Sequence, residues 1–334
     1  MKQDKIFLED ESLESLESLK AVIVSINTGN DEIFSYEVEE LKNLCEASNI
    51  IVVDEMFQSL NSPNTTSYVG SGKLDEIKRV ALALEVDLVI FNDELTPAQL
   101  KFITKFLGDN LEVFDRTMLI LDLFERRAKT KEAVLQVEIA RLKYNLPRLI
   151  GARSYLSRVT GGGGGGAGAR RGLGETKLEL DRRHIENQIV KAKKELEKIT
   201  KARSVTREKR NNNGLKTVSF VGYTNAGKSS TINTLLNINN KTDKDVYVKD
   251  MLFATLSTST RSLKLPNNHE FLLTDTIGFV SKLPHHLVES FKSTLEEIKD
   301  SSLIVHVVDA SSPYMDLQIE TTRQVLEELD TLNI

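Results

Sequence analysis

One short segment constrains the fold of this chain more than any other. Residues 217–236 read TVSFVGYTNAGKSSTINTLL: an apolar strand, a GxxxxGKS turn from Gly222 to Ser229, and a helical pattern. Such a turn presents bare backbone N–H groups to an anion at a helix N-terminus, and its lysine adds a positive charge. The segment therefore predicts a phosphate-binding loop at the end of a buried strand, within a nucleotide-binding α/β domain.

A second motif follows in the order that such a site requires. Residues 269–279 read HEFLLTDTIGF, an apolar strand that ends in Asp275 and continues to Gly278 as DxxG. The carboxylate of Asp275 would support Mg²⁺ through water, and Gly278 would let its amide approach the γ-phosphate. Between the motifs, DMLFATLSTSTRSL suits a loop that closes over Mg²⁺; we expect Thr255 to be the ligand, with Thr258 as the alternative.

The residue after DxxG bears on the mechanism. Small GTP hydrolases such as Ras place a glutamine there to orient the attacking water, whereas this chain has Phe279, whose ring cannot hold a water. We therefore expect slow hydrolysis by the isolated protein and acceleration by a partner that orders this region. His285 and His286 follow closely, but exposed loop histidines are mostly bystanders, and we treat them so.

The first third of the chain predicts a further α/β domain. Between about residues 19 and 116, β-rich runs such as AVIVSI and DLVIF alternate with helical patterns, which is typical of a largely parallel sheet. Its segment YVGSGKLDE contains Gly70, Gly72 and Lys73 without the GxxxxGK spacing, so we interpret it as a turn that enters a helix. Residues 1–18 form an acidic tail, and the single cysteine, Cys45, is expected in the core.

Residues 117–212 show the periodicity of long helices. One apolar series runs at heptad spacing from Leu135 to Leu146, and a second runs from Leu178 to Ile199. The two series predict an antiparallel, coiled-coil-like hairpin. The six consecutive glycines between them must form a loop, because glycine costs roughly 1 kcal/mol relative to alanine at each helical position.

The charge of the chain is segregated. The net charge is -5, yet residues 148–210 contain 17 Lys+Arg and 7 Asp+Glu, a net charge of +10, which leaves -15 for the remainder. A basic segment in an otherwise acidic protein is a candidate RNA contact. We expect Arg153, Arg158, Arg170 and Arg171, which flank the glycines, to meet a phosphate backbone; a flexible linker with solvated charge is the alternative.

The motif expected to recognise the nucleotide base is not found where it should occur. Guanine specificity usually comes from an NKxD motif that ends a strand after DxxG. The NKTD at Asn240–Asp243 precedes DxxG in polar sequence, so we interpret it as a coincidental match. After Gly278 the sequence predicts a helix near 288–299, the strand SLIVHVVDA and a helix at about 315–330. The nucleotide domain is therefore expected to be C-terminally incomplete, and the choice between guanine and adenine stays open.

Together these motifs resemble the HflX family, ribosome-associated members of the Obg-HflX branch of P-loop GTPases. The resemblance runs from about residue 19 onward and rests on YVGSGKLDEI, RRGLGETKLELDRR, LFATL and DTIGFVSKLPHHLVESF in particular. It implies an N-terminal α/β domain (1–116), a basic helical hairpin (117–212) and a P-loop GTPase domain (213–334). It also implies binding to the large ribosomal subunit and GTP-dependent dissociation of stalled or idle ribosomes.

The resemblance carries over onto a set of site residues. GTP or GDP contacts are expected from Gly222, Tyr223, Thr224, Asn225, Ala226, Gly227, Lys228, Ser229 and Ser230, from the switch loop Phe253, Ala254, Thr255, Leu256 and Ser257, and from Asp275, Thr276, Ile277 and Gly278. Catalytic roles fall to Lys228, Thr255 and Gly278, and the Mg²⁺ ligands are Ser229, Thr255 and, through water, Asp275.

The prediction for the whole chain is a Mg²⁺-dependent GTPase that the ribosome stimulates. No apolar run approaches the roughly 20 residues of a membrane span, so we expect a cytoplasmic monomer, with peripheral membrane contact left open. The alternative is an RNA-binding or ribosome-binding fragment whose nucleotide site is structural or inactive, because the NKxD segment is absent.

Overall fold

The computed structural model describes residues 18–149, 171–212, 215–238, 253, 259–264, 268–291, 295 and 298–331, with the backbone alone over 171–178, 204–212, 259, 285, 286 and 288. Two four-stranded sheets and a helical hairpin account for most of these residues. Within these ranges, no helix has both the length and the apolar character needed to cross a bilayer.

The first sheet is parallel throughout. Its strands are β1 (Leu19–Asn27), β2 (Ile50–Ser59), β3 (Leu88–Phe91) and β4 (Glu112–Asp115), and its helices are α1 (Asp31–Ala47), α2 (Ser71–Ala83), α3 (Pro97–Leu107) and α4 (Arg116–Arg127). The strand order is β2-β1-β3-β4, with β1 and β3 buried in the middle, as their continuous apolar runs require. The predicted mainly parallel α/β fold is confirmed, and Gly70 caps the start of α2 as a turn into a helix.

The helical hairpin consists of α5 (Lys131–Asn145), a short 3-10 turn (Leu146–Arg148) and α6 (Arg171–Asn212). Leu135 and Ile139 of α5 pack against Ala192 of α6, at the predicted heptad positions. Glu132, near the start of α5, accepts a hydrogen bond of 2.6 Å from Arg203, near the end of α6, so the two helices run antiparallel. The preceding helix α4 contributes Phe124 and its apolar neighbours to the core of the first sheet.

The second sheet contains β5 (Lys216–Gly222), β6 (Ser259–Lys264), β7 (Glu270–Asp275) and β8 (Leu303–Val307), with helices α7 (Lys228–Ile238), α8 (His285–Ser290) and α9 (Met315–Glu328). The order is β6-β7-β5-β8, and only β6 is antiparallel to its neighbour. Both predicted nucleotide motifs follow adjacent parallel strands, β5 and β7. Parallel strands end at the same edge of a sheet, so the two motifs meet there.

A single apolar core joins the two sheets. Leu41 and Leu44 of α1 belong to the same buried cluster as Phe279, which follows β7. Cys45 is also buried there, as the sequence predicts. The ring of Phe124 contacts those of Phe253 and Phe291 edge-on, with centroids 4.7 and 5.0 Å apart. The segment after β7 is therefore held by apolar packing against the first sheet.

Candidate nucleotide site

The turn after β5 has the backbone of a phosphate-binding loop. Gly222 has a φ of +150°, and a Cβ there would lie 2.2 Å from the carbonyl oxygen of Val307 on β8. Asn225 and Gly227 also have positive φ values, of 61° and 88°. Only glycine fits at Gly222, so the first glycine of the motif is required by close packing of β5 against β8.

Lys228 begins α7 and folds back over the loop. Its Nζ donates hydrogen bonds to the carbonyl oxygens of Gly222, at 3.1 Å, and Tyr223, at 2.6 Å. Burial lowers the pKa of Lys228 to about 8, and the nearby carboxylate of Asp275 opposes part of that effect. A buried cation of lowered pKa is stabilised by any anion that enters the loop, because an opposite charge favours the protonated form.

A hydroxyl and a carboxylate lie side by side below the loop. Ser229 Oγ donates to Asp275 Oδ2 at 2.7 Å, at the end of β7. Both are hard oxygen ligands of the kind that Mg²⁺ prefers. The two side chains fit the expected roles of Ser229 as a direct ligand and Asp275 as a ligand through water. A bound Mg²⁺ would supply positive charge to the phosphate oxygens.

The DxxG segment is paired with the phosphate loop. The backbone N–H of Thr224 donates to the carbonyl of Phe279 at 2.8 Å, and that of Phe279 donates to Gly222 at 3.2 Å. A Cβ on Gly278 would lie 2.8 Å from Thr224 Cα and 3.0 Å from Lys228 Nζ. Because no side chain fits between them, glycine is required at this position for the two segments to stay in contact.

The side chain of Phe279 turns away from the loop. It is only 2% exposed and packs in the core shared by the two sheets. The phenyl ring is a structural anchor of the DxxG segment. No polar side chain is therefore supplied from this position to orient an attacking water.

Three family models match successive parts of the chain. They are described as GTP-binding GTPase N-terminal, over residues 35–125, GTP-binding GTPase Middle Region, over 127–210, and 50S ribosome-binding GTPase, over 217–333. The last of these covers both nucleotide motifs.

Curated relatives match almost the whole chain. The GTPase HflX of Caldanaerobacter subterraneus is 46% identical over 313 residues, which cover 94% of this chain and 70% of the relative. The GTPase HflX of Lacrimispora saccharolytica is 44% identical, with 93% and 70% covered, and that of Escherichia coli is 38% identical, with 94% and 71% covered. The chain belongs to the HflX family of GTPases.

A solved structure agrees with this assignment. The crystal structure of the SsGBP and GDP complex is 26% identical, with a TM-score of 0.51, and the match covers 94% of this chain and 79% of that one. Membership of the HflX family confirms the predicted resemblance and makes the protein a GTP hydrolase. The nucleotide is guanine, which decides the choice that the sequence left open.

The HflX motifs lie partly within the described residues. The phosphate loop, residues 222–230, and the DxxG segment, residues 275–278, lie in contact with each other. Phe253, expected in the switch loop, is buried against Phe124 with a φ of 55°. Outside the described residues lie Ala254, Thr255, Leu256, Ser257 and Thr258, the NKTD at 240–243, and Arg153, Arg158 and Arg170. Arg171 begins α6, and its side chain, like those of His285 and His286, also falls outside them.

Sequence reasoning did not find a polar cluster beside the loop. Glu40 of α1 and Arg116 of α4 are buried and touch Tyr223 and Ser281 of the nucleotide-binding part. The signal was present in the helical pattern, because Glu40 shares a face of α1 with Leu44, four residues on. A carboxylate at a core position of a helix indicates a buried partner.

Proposed function

We propose that this HflX-family GTPase acts on the large ribosomal subunit and dissociates stalled or idle ribosomes. Mg²⁺ serves as its cofactor, and the ribosome stimulates hydrolysis. The protein works as a cytoplasmic monomer. Support comes from the family model described as a 50S ribosome-binding GTPase and from the geometry after DxxG.

The observation that carries the proposal is the burial of Phe279. In the isolated protein the position that a water-orienting glutamine takes in other GTP hydrolases is filled by a ring in the core. The remaining machinery can bind the nucleotide and stabilise charge, but this position adds nothing that holds water. A partner that orders the switch region is the means of completing the site.

The basic hairpin supports a ribosomal RNA partner. Helix α6 carries exposed basic side chains along its length: Arg182, Arg183, Lys191, Lys193, Lys194, Lys198 and Lys201. Ile185 and Ala192 of the same helix are buried instead. The face of α6 turned away from α5 is therefore suited to a phosphate backbone, and in the sequence Arg153, Arg158, Arg170 and Arg171 add four more basic residues on the two sides of the glycine run.

The proposed roles are those that the family motifs assign to these residues. Lys228 neutralises charge on the β- and γ-phosphates, and Gly278 brings its amide to the γ-phosphate. Ser229 and Thr255 would hold Mg²⁺ directly, and Asp275 would do so through water. When the γ-phosphate is present, the switch loop, residues 253–257 with Thr255, would close over Mg²⁺.

The test is GTP hydrolysis by the purified chain with and without purified large subunits, beside Lys228→Ala. We expect at least about tenfold stimulation that Lys228→Ala abolishes, since partner-completed GTPase sites gain far more than this. Sucrose gradients of intact ribosomes then report dissociation with GTP and with GDP.

Two outcomes would overturn the proposal. Fast hydrolysis without subunits would show that the site is complete alone. Binding to ribosomes that is the same with GTP, with GDP and with Lys228→Ala would instead support the fragment interpretation, in which the protein is an RNA-binding module.

A further inference from the structure

The carboxylate of Glu40 lies where the two sheets meet the phosphate loop. It projects from α1 of the first sheet and contacts Arg116, Tyr223 and Ser281. Tyr223 belongs to the phosphate loop, and Ser281 lies three residues after Gly278 of DxxG. One side chain therefore touches both halves of the nucleotide site, although it is far from both in sequence.

The hydrogen bonds around Glu40 form an ordered chain. The hydroxyl of Tyr223 donates to Glu40 Oε1 and accepts from the backbone N–H of Ser281 at 2.5 Å. The hydroxyl of Ser281 donates to Glu40 Oε2 and accepts from Arg116 Nη2 at 2.9 Å. Each hydroxyl both receives and donates a hydrogen, so the cluster has one consistent arrangement.

The cluster is buried, and its charges are matched. Arg116 is 1% exposed and Glu40 is 4% exposed, and they form an ion pair. Arg116 is itself held by Asn92 after β3, at 2.9 Å. Burial, and then the charge of Glu40, raise the pKa of Tyr223 well above its ordinary value, so its phenol keeps the proton that it donates. A buried network of this kind resists distortion, because each broken bond leaves a desolvated polar group.

Lys282, the residue after Ser281, also attaches the segment after DxxG to the first sheet. Lys282 Nζ pairs with Glu37 of α1 at 2.7 Å and with Asp93 after β3 at 2.6 Å. Two consecutive residues after DxxG thus bond to side chains of the first sheet. The position of the DxxG segment is consequently set by the N-terminal part of the molecule.

We propose that Glu40 is a positioning residue for nucleotide binding: it fixes Tyr223 to Ser281, so that the phosphate loop and the DxxG segment are held together before GTP or GDP enters. The carbonyl of Tyr223 also accepts from Lys228, so displacement of Tyr223 displaces the cation that meets the phosphates. The first sheet therefore preorganises a site whose phosphate-binding motifs follow strands of the second sheet.

The test uses Tyr223→Phe, which removes the linking hydroxyl and leaves the Glu40–Arg116 ion pair intact. The matched control is Tyr144→Phe, because Tyr144 is equally buried and donates to the carboxylate of Asp115 at 2.8 Å, away from the phosphate loop. The readouts are the dissociation rate of a fluorescent GDP analogue and KM and kcat for GTP in the absence of ribosomes. They do not depend on whether the ribosome is the partner.

For Tyr223→Phe we expect about tenfold faster GDP release and a KM raised by about the same factor, with kcat within about twofold, since both buried hydrogen bonds of the Tyr223 hydroxyl are lost. Tyr144→Phe should leave release and KM at their original values at a similar loss of thermal stability. Adding Glu40→Gln to Tyr223→Phe should change release no further, because both act through one contact.

The proposal fails if Tyr223→Phe and Tyr144→Phe release GDP at the same rate, or if the effects of Glu40→Gln and Tyr223→Phe add in full. If Glu40→Gln does not fold, Ser281→Ala takes its place in the cycle, since Ser281 bonds to the other oxygen of the same carboxylate. Full additivity of Ser281→Ala with Tyr223→Phe would count against the proposal in the same way.

Discussion

The two sheets meet at their carboxyl ends, and the loops there differ in composition. After β5 and β7 the chain uses glycines, at Gly222, Gly227 and Gly278, which expose backbone N–H groups. After β3 and β4 it uses charged and amide side chains, including Asp93 and Arg116. One edge is built to receive an anion from solution, and the other to hold fixed charges of its own chain.

Each sheet has a crevice outside the carboxyl ends of its strands, and the two crevices have different occupants. In open parallel sheets, ligands bind outside the carboxyl ends where the strand order reverses, which is beside β1 in the first sheet and beside β5 in the second. In the second sheet this place holds the phosphate loop. In the first it is filled by Lys282, between Glu37 and Asp93. The first sheet thus binds a segment of its own chain where a related fold would bind a cofactor.

The largest expected effect separates two lysines that follow glycines. Lys228→Ala should lower kcat/KM for GTP by roughly 10²- to 10³-fold, because it removes the cation that faces the phosphates. Lys73→Ala, in the look-alike GSGK turn of the first sheet, should leave it within about twofold, since Lys73 pairs with Glu76 on its own helix. The measurement is steady-state GTP hydrolysis with ribosomes. A comparable loss in both variants would mean that the first sheet also contacts nucleotide.

The next effect concerns the buried charges of Glu40 and Arg116, at the junction between the two sheets. Arg116→Met leaves Glu40 buried without its cation and should lower the free energy of unfolding by about 3 kcal/mol, measured by urea denaturation. The control, Arg126→Met, breaks the pair between exposed Arg126 and half-buried Asp122 on the same helix and should cost less than about 1 kcal/mol. Equal losses would show that the junction contributes no more than a surface ion pair.

The third effect compares two glycines, one in each of the two parts of the molecule, by what a methyl group does to GTP hydrolysis. Gly278→Ala puts a Cβ against Thr224 and Lys228, so the DxxG segment must move, and single-turnover hydrolysis should fall roughly 10- to 100-fold. Gly72→Ala meets no atom within 4 Å and should leave hydrolysis unchanged while stabilising α2 by about 0.5 kcal/mol. If Gly278→Ala hydrolyses GTP normally, close contact between the two motifs is dispensable.

The contacts at the junction, unlike the secondary structure and the phosphate loop, could not be predicted from the sequence. The strands, the heptad seam at Leu135 and Ile139, and the phosphate loop are local patterns. Each can be predicted because its residues lie close together in the sequence. The contact between Glu40 and Ser281 joins residues 241 positions apart. No periodicity spans that distance. Phe253 was likewise assigned to the switch loop by its motif, whereas its burial against Phe124 depends on how the sheets pack.

A smaller effect follows from the pKa of Lys228. In the free protein that pKa is lowered to about 8, and bound phosphates favour the charged form, so GDP binding should take up about half a proton at pH 8 and less at pH 7. Affinity should consequently fall as the pH rises above about 8. Calorimetry in two buffers of different ionisation enthalpy measures the uptake.

The control for this measurement is Lys228→Arg. Its guanidinium keeps its proton throughout this range, so binding should take up none at either pH. If uptake at pH 8 is the same in the unaltered protein and in Lys228→Arg, then another group is its source and burial of Lys228 is not linked to binding.

The smallest expected effect tests whether the helical hairpin acts independently of the nucleotide site. Lys194→Gln on the exposed face of α6 should weaken binding to large subunits slightly and lower the slope of log affinity against log salt by about one, because one phosphate contact is lost. GDP release should not change, since the described part of α6 packs along α5, where Arg203 bonds to Glu132. Lys42→Gln, an exposed lysine on α1 paired with Glu55, is the control and should leave the salt slope unchanged. A faster GDP release in Lys194→Gln would instead connect the hairpin to the junction at Glu40, and the RNA-facing and nucleotide-facing parts would then form one unit.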